Sequence, residues 1–375
     1  MGKKDKPKSD KAPARKLFGS SKPANSSTPA QSPRDASFSS KNGKGKKSGK
    51  AASKQSAAEQ ERLDTVAQAV VDAQKEFERE NPLTKQDMRA RIEISQQAEL
   101  FELGGGLTLR YAYMSQRGYY PESLNKNNQD AFKVVRNFNG VADHLLLGVF
   151  DGHGQDGDGV SYFVRDNIED ELREQMAKHP EDFEKAYTQC FITLNNDVKQ
   201  QEFDAVNSGT TAITVFFHGP EMTVANIGDS RAIVGEQKAE RVMAYSLSID
   251  QTPYRKDERE RCKAAGAAVM SLDQMEGFAP MHENWGLNLG EETDDGGDPP
   301  RLWVKGQGYP GCAFTRSIGD DMAESVGVFA EPELLVKTLG PKDVFVCLAS
   351  DGVWEFLTNQ TVTDIIMNFD DPYAR

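Results

Sequence analysis

From Leu107 onward the chain is written in short apolar runs, and several of them end in a small residue and an aspartate. Residues 144–150 run into Asp151-Gly152-His153-Gly154, and residues 344–349 run through Ser350 into Asp351-Gly352-Val353-Trp354. Apolar runs of about four to eight residues, punctuated by glycine, are the pattern of buried strands and are too short for core helices. The same reading predicts strands over 211–217, 222–227 and 232–234. Between the first two strands lie two helical stretches. On the second, Phe183, Tyr187, Phe191, Leu194 and Val198 form one apolar face, bounded upstream by His179-Pro180. Strands and helices do not alternate regularly, which points to a mixed α+β layer architecture rather than a doubly wound sheet. Residues 270–312, rich in Gly, Asp and Pro, read as a long functional or mobile loop.

Upstream the texture is different. Residues 1–56 are rich in Lys, Ser, Pro, Ala and Gly, with Leu17 and Phe18 as their adjacent large apolar pair. Such a segment buries too little surface to offset its ordering entropy, so it is expected to be a disordered tail. Leu63, Val66, Val70, Ala73 and Phe77 alternate spacings of three and four and predict a helix over 57–79. Asn81-Pro82 breaks it, and a second helix is expected over 84–100 before Gly104-Gly105-Gly106. The domain plan is thus a basic tail (1–56), a helical segment (57–103) and a catalytic domain (107–375). The helical segment is read either as a hairpin packed on the catalytic domain or as a short coiled-coil docking element.

Charge divides the chain the same way. Residues 1–50 carry 12 Lys and 2 Arg against 3 Asp, a net of +11, so the remainder sums to −24 of the chain's −13 total. A basic tail suits peripheral contact with an anionic membrane, or simply solubility, and an acidic body suits cations. Only Phe18 and Phe38 stand among the tail's lysines, too few aromatic residues to point to specific nucleic-acid binding. The four cysteines, Cys190, Cys262, Cys312 and Cys347, lie far apart without a C-x-x-C pair, as befits a reducing compartment, cytoplasmic and/or nuclear. The Lys-rich start lacks an apolar secretory core, and Lys6 stands where a myristoylation signal wants Ser or Thr.

The aspartates carry the chemistry. Asp151 and Asp351 each follow a predicted strand, Asp229 sits in Asn226-Ile227-Gly228-Asp229-Ser230-Arg231 after another, and Asp130 ends Asn127-Asn128-Gln129-Asp130. A single Asp-Gly is ordinarily a turn. Several carboxylates converging at strand ends repel one another unless a cation intervenes, and oxygen-only ligands favour Mg²⁺ or Mn²⁺ over Zn²⁺. Two such ions sharing an aspartate can clamp a phosphoryl group, and a neighbouring histidine, His153, can protonate the leaving oxygen.

These motifs, in this order, resemble the protein phosphatase 2C family of metal-dependent Ser/Thr phosphatases. The resemblance runs through Asn128-Gln129-Asp130-Ala131, residues 149–154, Ser208-Gly209-Thr210-Thr211-Ala212, residues 226–232, Ala313-Phe314-Thr315-Arg316-Ser317-Ile318-Gly319-Asp320 and residues 349–354. Arg117-Gly118-Tyr119-Tyr120-Pro121 and Tyr309-Pro310-Gly311 are closest to plant and protist wording. It implies a four-layer α-β-β-α sandwich of two antiparallel sheets flanked by helices, with two Mg²⁺ or Mn²⁺ ions at one end and a third in some members. It implies hydrolysis of phosphoserine or phosphothreonine in proteins by a metal-bridging hydroxide. Carried over by position, Asp151 bridges the metals, Gly152 lends a carbonyl, Asp351 binds a metal, Asp130 holds metal-bound water and His153 is the general acid. Asp229 matches a ligand of the third ion, while Thr211, Arg316 and Asp320 match positions that shape the site. Residues 270–312 match a flap governing substrate access and regulator docking, with Trp303 as its expected contact.

Three departures stand out. Gln129-Asp130 replaces the usual Glu-Asp pair. The family's phosphate-binding arginine falls at Asn125, leaving Arg117 or Lys126 to substitute. The family's closing strand with its Asp-Asn or Asp-Asp ligand has no counterpart before Arg375, so one ligand and one core strand are expected to be lacking. The rival expectation is therefore a catalytically impaired phosphatase-like binding or regulatory protein.

Overall fold

The computed structural model describes residues 92–118, 126–283, 285 and 298–374. The basic tail, the helix expected over 57–79, Asn125 and most of the Arg117–Pro121 motif lie outside the described residues.

The strands are, in chain order, β1 Ile92–Ile94, β2 Glu99–Gly104, β3 Leu107–Tyr111, β4 Met114–Gln116, β5 Asp130–Arg136, β6 His144–His153, β7 Gly209–Thr210, β8 Ala212–His218 and β9 Glu221–Ile227. They continue with β10 Arg231–Lys238, β11 Arg241–Ser246, β12 Ala267–Met270, β13 Arg301–Val304, β14 Pro310–Cys312, β15 Ile318–Gly319, β16 Glu333–Thr338 and β17 Asp343–Ala349. The helices are α1 Gly157–Lys178, α2 Phe183–Val198, α3 Lys256–Ala264, α4 Leu272–Met275, α5 Asp321–Glu324, α6 Asp351–Trp354 and α7 Asn359–Ile366.

A seven-stranded antiparallel sheet runs β15-β7-β6-β8-β9-β16, with β5 also paired to β6. A second sheet, β11-β10-β17, faces it, and a small third sheet is β12-β13-β14. Alternation within β8 explains the layering. Ala212 and Phe216 join the core under α1 and α2, while Ile213, Val215 and Phe217 join Ala232 and Val234 between the two large sheets. Both faces of β8 are buried, so its sequence is a continuous apolar run rather than an alternating one. On the far side Ile233 packs with Trp354, Val362 and Ile366, completing a helix–sheet–sheet–helix order. Val160, Val164, Ile168 and Leu172 draw the buried stripe of α1, one turn apart. On α2, Tyr187, Phe191, Leu194 and Val198 are buried as their spacing predicts, and the Asp182 carboxylate accepts from the Lys185 amide to cap its start.

Two expectations give way. The helix predicted over 84–100, and with it the end of the 57–103 helical segment, is replaced where described by β1 and β2. Glu99-Leu100-Phe101-Glu102-Leu103 has period two: Phe101 and Leu103 are buried between the sheets, and Leu100 is exposed. The three glycines that follow all have positive φ and turn β2 into β3. Nor is 270–312 wholly a loop. Its flanks form β12, α4, β13 and β14 over a core of Cys262, Val269, Leu302 and Val328. Trp303, expected as an outward contact, is 4% exposed and donates its indole N–H to the Met270 carbonyl at 2.8 Å.

Candidate active site

Strand pairing brings the first two aspartates together. Asp130 opens β5 instead of ending a strand, and stands directly opposite Asp151 near the end of β6. The Asp151 amide donates to Thr211 Oγ1 at 3.1 Å, and the Thr211 amide returns a bond to the Asp151 carbonyl at 2.9 Å. Thr211 Oγ1 lies 2.6 Å from Ser230 Oγ, beside Asp229 in the turn between β9 and β10. Ser350 Oγ donates to Asp130 Oδ2 at 3.0 Å, and the next residue, Asp351, opens α6. One antiparallel ladder and two hydroxyl bridges thus collect four carboxylates from four elements.

Gly152 is required here by close approach. A Cβ on it would lie 2.2 Å from the Gly157 carbonyl oxygen and 2.7 Å from that of Gln129. Its amide donates to Gln129 at 3.1 Å. His153 follows, its Nε2 2.6 Å from Asp320 Oδ2 and its ring 4.4 Å from that of Phe314. Asp320 is 6% exposed and adopts left-handed φ, with its amide on the Ser208 carbonyl at 3.0 Å.

Asp151, His153, Thr211, Asp229, Asp320 and Asp351 line one cavity of about 490 Å³, together with Tyr254, Arg301, Cys312, Phe314 and Glu355. Burial pushes the Asp151 carboxyl well above the usual carboxylate range, and the charges of Asp351, Asp130 and Asp229 push it further. Burial likewise raises Asp130, reinforced by Asp351. Asp229 is pushed up to about 7 by burial, then by Asp351 and Asp250, with His153 opposing. Burial alone would lower His153, but the Asp320 carboxylate outweighs it and holds the imidazolium.

Buried carboxylates set beside other carboxylates form an all-oxygen donor set with uncompensated negative charge. That is what a hard divalent cation relieves, so the residues present fit Mg²⁺ or Mn²⁺. A second acidic group, Asp257, Glu258 and Glu333, is held within 4.8 Å. It differs because guanidinium groups occupy it: Arg316 contacts Glu258 and Glu333, Arg255 contacts Asp257 and Glu333, and Arg261 contacts Glu258. This is a salt-bridge network, and it takes up Arg316 away from the cavity wall.

The family described as protein phosphatase 2C matches residues 122–371. The chain belongs to the protein phosphatase 2C family. Its reaction class is therefore that of a protein phosphatase. It is 47% identical to "Probable protein phosphatase 2C 35" of Arabidopsis thaliana, over 70% of this chain and 74% of that protein. It is 35% identical to "Probable protein phosphatase 2C 64" of Oryza sativa subsp. japonica, over 64% of this chain but 53% of that protein. The plant wording of its motifs agrees with these relatives. The crystal structure of serine-threonine phosphatase 2C from Toxoplasma gondii aligns with a TM-score of 0.52 at 18% identity, covering 65% of this chain and 79% of that one, and shares the fold.

Against that family frame, the structure gathers Asp130, Asp151, Gly152, His153, Asp229 and Asp351 at one end of the seven-stranded sheet. Asp130 and Gly152 join the site through Asp151, Ser350 and Gln129, and neither they nor Arg117 and Lys126 are among the cavity's lining residues. Arg301, Phe314, Ser350 and Glu355 belong to the site without having been singled out. Glu355 lies four residues after Asp351 on the next helical turn, a spacing that was legible; Arg301 had no such signal.

Proposed function

We propose that this protein hydrolyses phosphoserine and phosphothreonine in protein substrates, and that Asp151 is the central carboxylate that would hold its Mg²⁺ or Mn²⁺ ions. The convergence of Asp151, Asp229 and Asp351 on one cavity wall, with Asp130 paired to Asp151, beside a histidine held by its own carboxylate supports this reading. Bound divalent ions supply Lewis acidity that makes water a nucleophile at neutral pH and offsets phosphoryl charge. Asp151 and Asp351 would hold the ions directly, the Gly152 carbonyl would add to their donor set, and Asp130 would act on them from beside Asp151. Asp229 would hold a further, weaker ion. His153 donates its proton to the departing serine or threonine oxygen, and Asp320 keeps the ring turned for that transfer. Thr211 and Ser350 hold the Asp151 backbone and the Asp130 side chain in place.

The decisive experiment is Mn²⁺-dependent phosphate release from a phosphothreonine peptide. Wild-type protein should release phosphate and lose activity with a chelator, while Asp151→Asn should release none at an unchanged melting temperature. Normal turnover by Asp151→Asn overturns the assignment.

Regulator docking on the 270–312 flap belongs to the same proposal, and the exposure of Phe278 (78%) and Met281 (65%) supports it. So does peripheral contact of the +11 tail with anionic membrane, in the cytoplasm and/or nucleus. No helix among the described residues is long and apolar enough to cross a membrane.

A further inference from the structure

We infer that Arg301 is the residue that receives the substrate's oxyanion in this chain, in the role for which Arg117 and Lys126 were the candidates from sequence. The inference rests on the phosphatase reading and names how the same site recognises its substrate.

The cavity wall is acidic. Asp151, Asp229, Asp320, Asp351 and Glu355 all line it, and a phosphorylated side chain brings further negative charge. Among the described lining residues other than His153, Arg301 is the one basic side chain. It opens β13 in the small sheet, paired with Met270 of β12, so its backbone is set by a strand rather than a loop. Its side chain is anchored at one end, where Nη1 donates to the Gly311 carbonyl at 3.2 Å. The other edge makes only a long ion pair and no hydrogen bond. Nε is buried and has no hydrogen-bond partner, and the nearest carboxylate oxygen, Asp298 Oδ1, stands 3.9 Å away, beyond hydrogen-bonding distance. Buried N–H groups are ordinarily satisfied, so this guanidinium keeps hydrogen-bonding capacity in reserve beside the cavity. The planar fork of a guanidinium matches two oxygens of a phosphoryl or carboxylate group, and holding one Nη on a carbonyl orients the fork before the ligand arrives.

The anion has two sources of the same chemistry: the phosphoryl oxygens themselves, or a carboxylate beside the phosphorylated residue in the substrate. In either case Arg301 contributes binding that is similar in ground and transition states, so its removal acts on KM more than on kcat.

The test compares wild type, Arg301→Gln and Arg301→Lys in Mn²⁺ on three readouts: KM and kcat for phosphothreonine peptides with acidic or neutral flanks, KM for p-nitrophenyl phosphate, and inhibition by inorganic phosphate. Arg301→Gln should raise KM about tenfold or more while kcat stays within about threefold, and Arg301→Lys should recover part of the loss. A parallel rise in the inhibition constant of phosphate and in KM for p-nitrophenyl phosphate assigns the contact to the phosphoryl group. A rise confined to acid-flanked peptides assigns it to the substrate carboxylate. If KM and phosphate inhibition in Arg301→Gln stay within about twofold of wild type, the proposal is wrong. It is equally wrong if Arg301→Gln lowers kcat and melting temperature with KM unchanged while Arg301→Lys behaves as wild type, because Arg301 then only anchors the flap through Gly311. A wild-type protein that releases no phosphate overturns the catalytic reading, whereas a wild type that turns over with an insensitive Arg301→Gln overturns this inference alone.

Discussion

His153 and Asp320 stand 167 positions apart in the chain and 2.6 Å apart in space. General acid catalysis contributes about 10²–10⁴-fold, and the need for it falls as the leaving group becomes a weaker base. His153→Ala should therefore slow a phosphoserine peptide by about 10²-fold or more and p-nitrophenyl phosphate far less; equal losses on the two substrates would make His153 a binding or structural residue. Asp320→Asn should show the same leaving-group dependence at smaller amplitude. A different single-residue prediction concerns Glu258, 2% exposed and held by Arg316, Arg261 and Thr315. Although burial alone would raise its carboxyl, those partners lower it from 4.5 to about 2. A depressed carboxylate contributes stability that is fully present above its unfolded value and is lost as pH falls through the folded one. The contribution, of order 3 kcal/mol at neutral pH, should fade between pH 4.5 and about 2. Glu258→Gln should melt well below wild type at pH 6, and the gap should narrow as the pH approaches 3. A gap that stays constant across that range would remove the ion pairs as the cause.

Among elements, the three strand ends at the site work as a unit. His153 of β6 pairs with Gly209 of β7, which pairs with Gly319 of β15, and Asp320 follows. The absence of a side chain at Gly209 is what lets the histidine and the aspartate meet, since a Cβ there would lie 2.0 Å from Asp320 Oδ2 and 2.8 Å from His153 Nε2. Gly209→Ala should push the pair apart and lower peptide turnover as severely as Asp320→Asn, while the melting temperature falls by only the amount that about 1–3 kcal/mol of overpacking produces. Unchanged activity in Gly209→Ala would show that the His153–Asp320 contact is dispensable. The layered strands were readable because β8 and β9 are buried at all but one position each, so apolar residues stand on both their faces. The β2 strand was misread because its glutamates and leucines serve a helix and a two-fold pattern equally well, and only the partner β3 chooses between them.

At the scale of the whole molecule, charge separates the chain into a tail of +11 over residues 1–50 and a body of −24. Each basic residue near an anionic surface contributes roughly 1 kcal/mol, so deleting residues 1–50 should abolish salt-sensitive sedimentation with acidic liposomes while leaving peptide turnover intact. Equal sedimentation of the two proteins at low salt would leave the tail as a solubilising segment. A mixed α+β layer architecture, and Asp130, Asp151, His153, Asp229 and Asp351 as candidate site residues, were legible in the sequence alone. Apolar run length reports burial, and an aspartate after a buried strand is costly unless it has work to do. What the tertiary structure decided is which of these groups meet. The Asp130–Asp151 ladder pair, the Ser350 bridge, the partnership of His153 with Asp320 and the place of Arg301 in the cavity wall are long-range contacts. Spacing along the chain carries no record of them, because they form only when separate strands are brought into register.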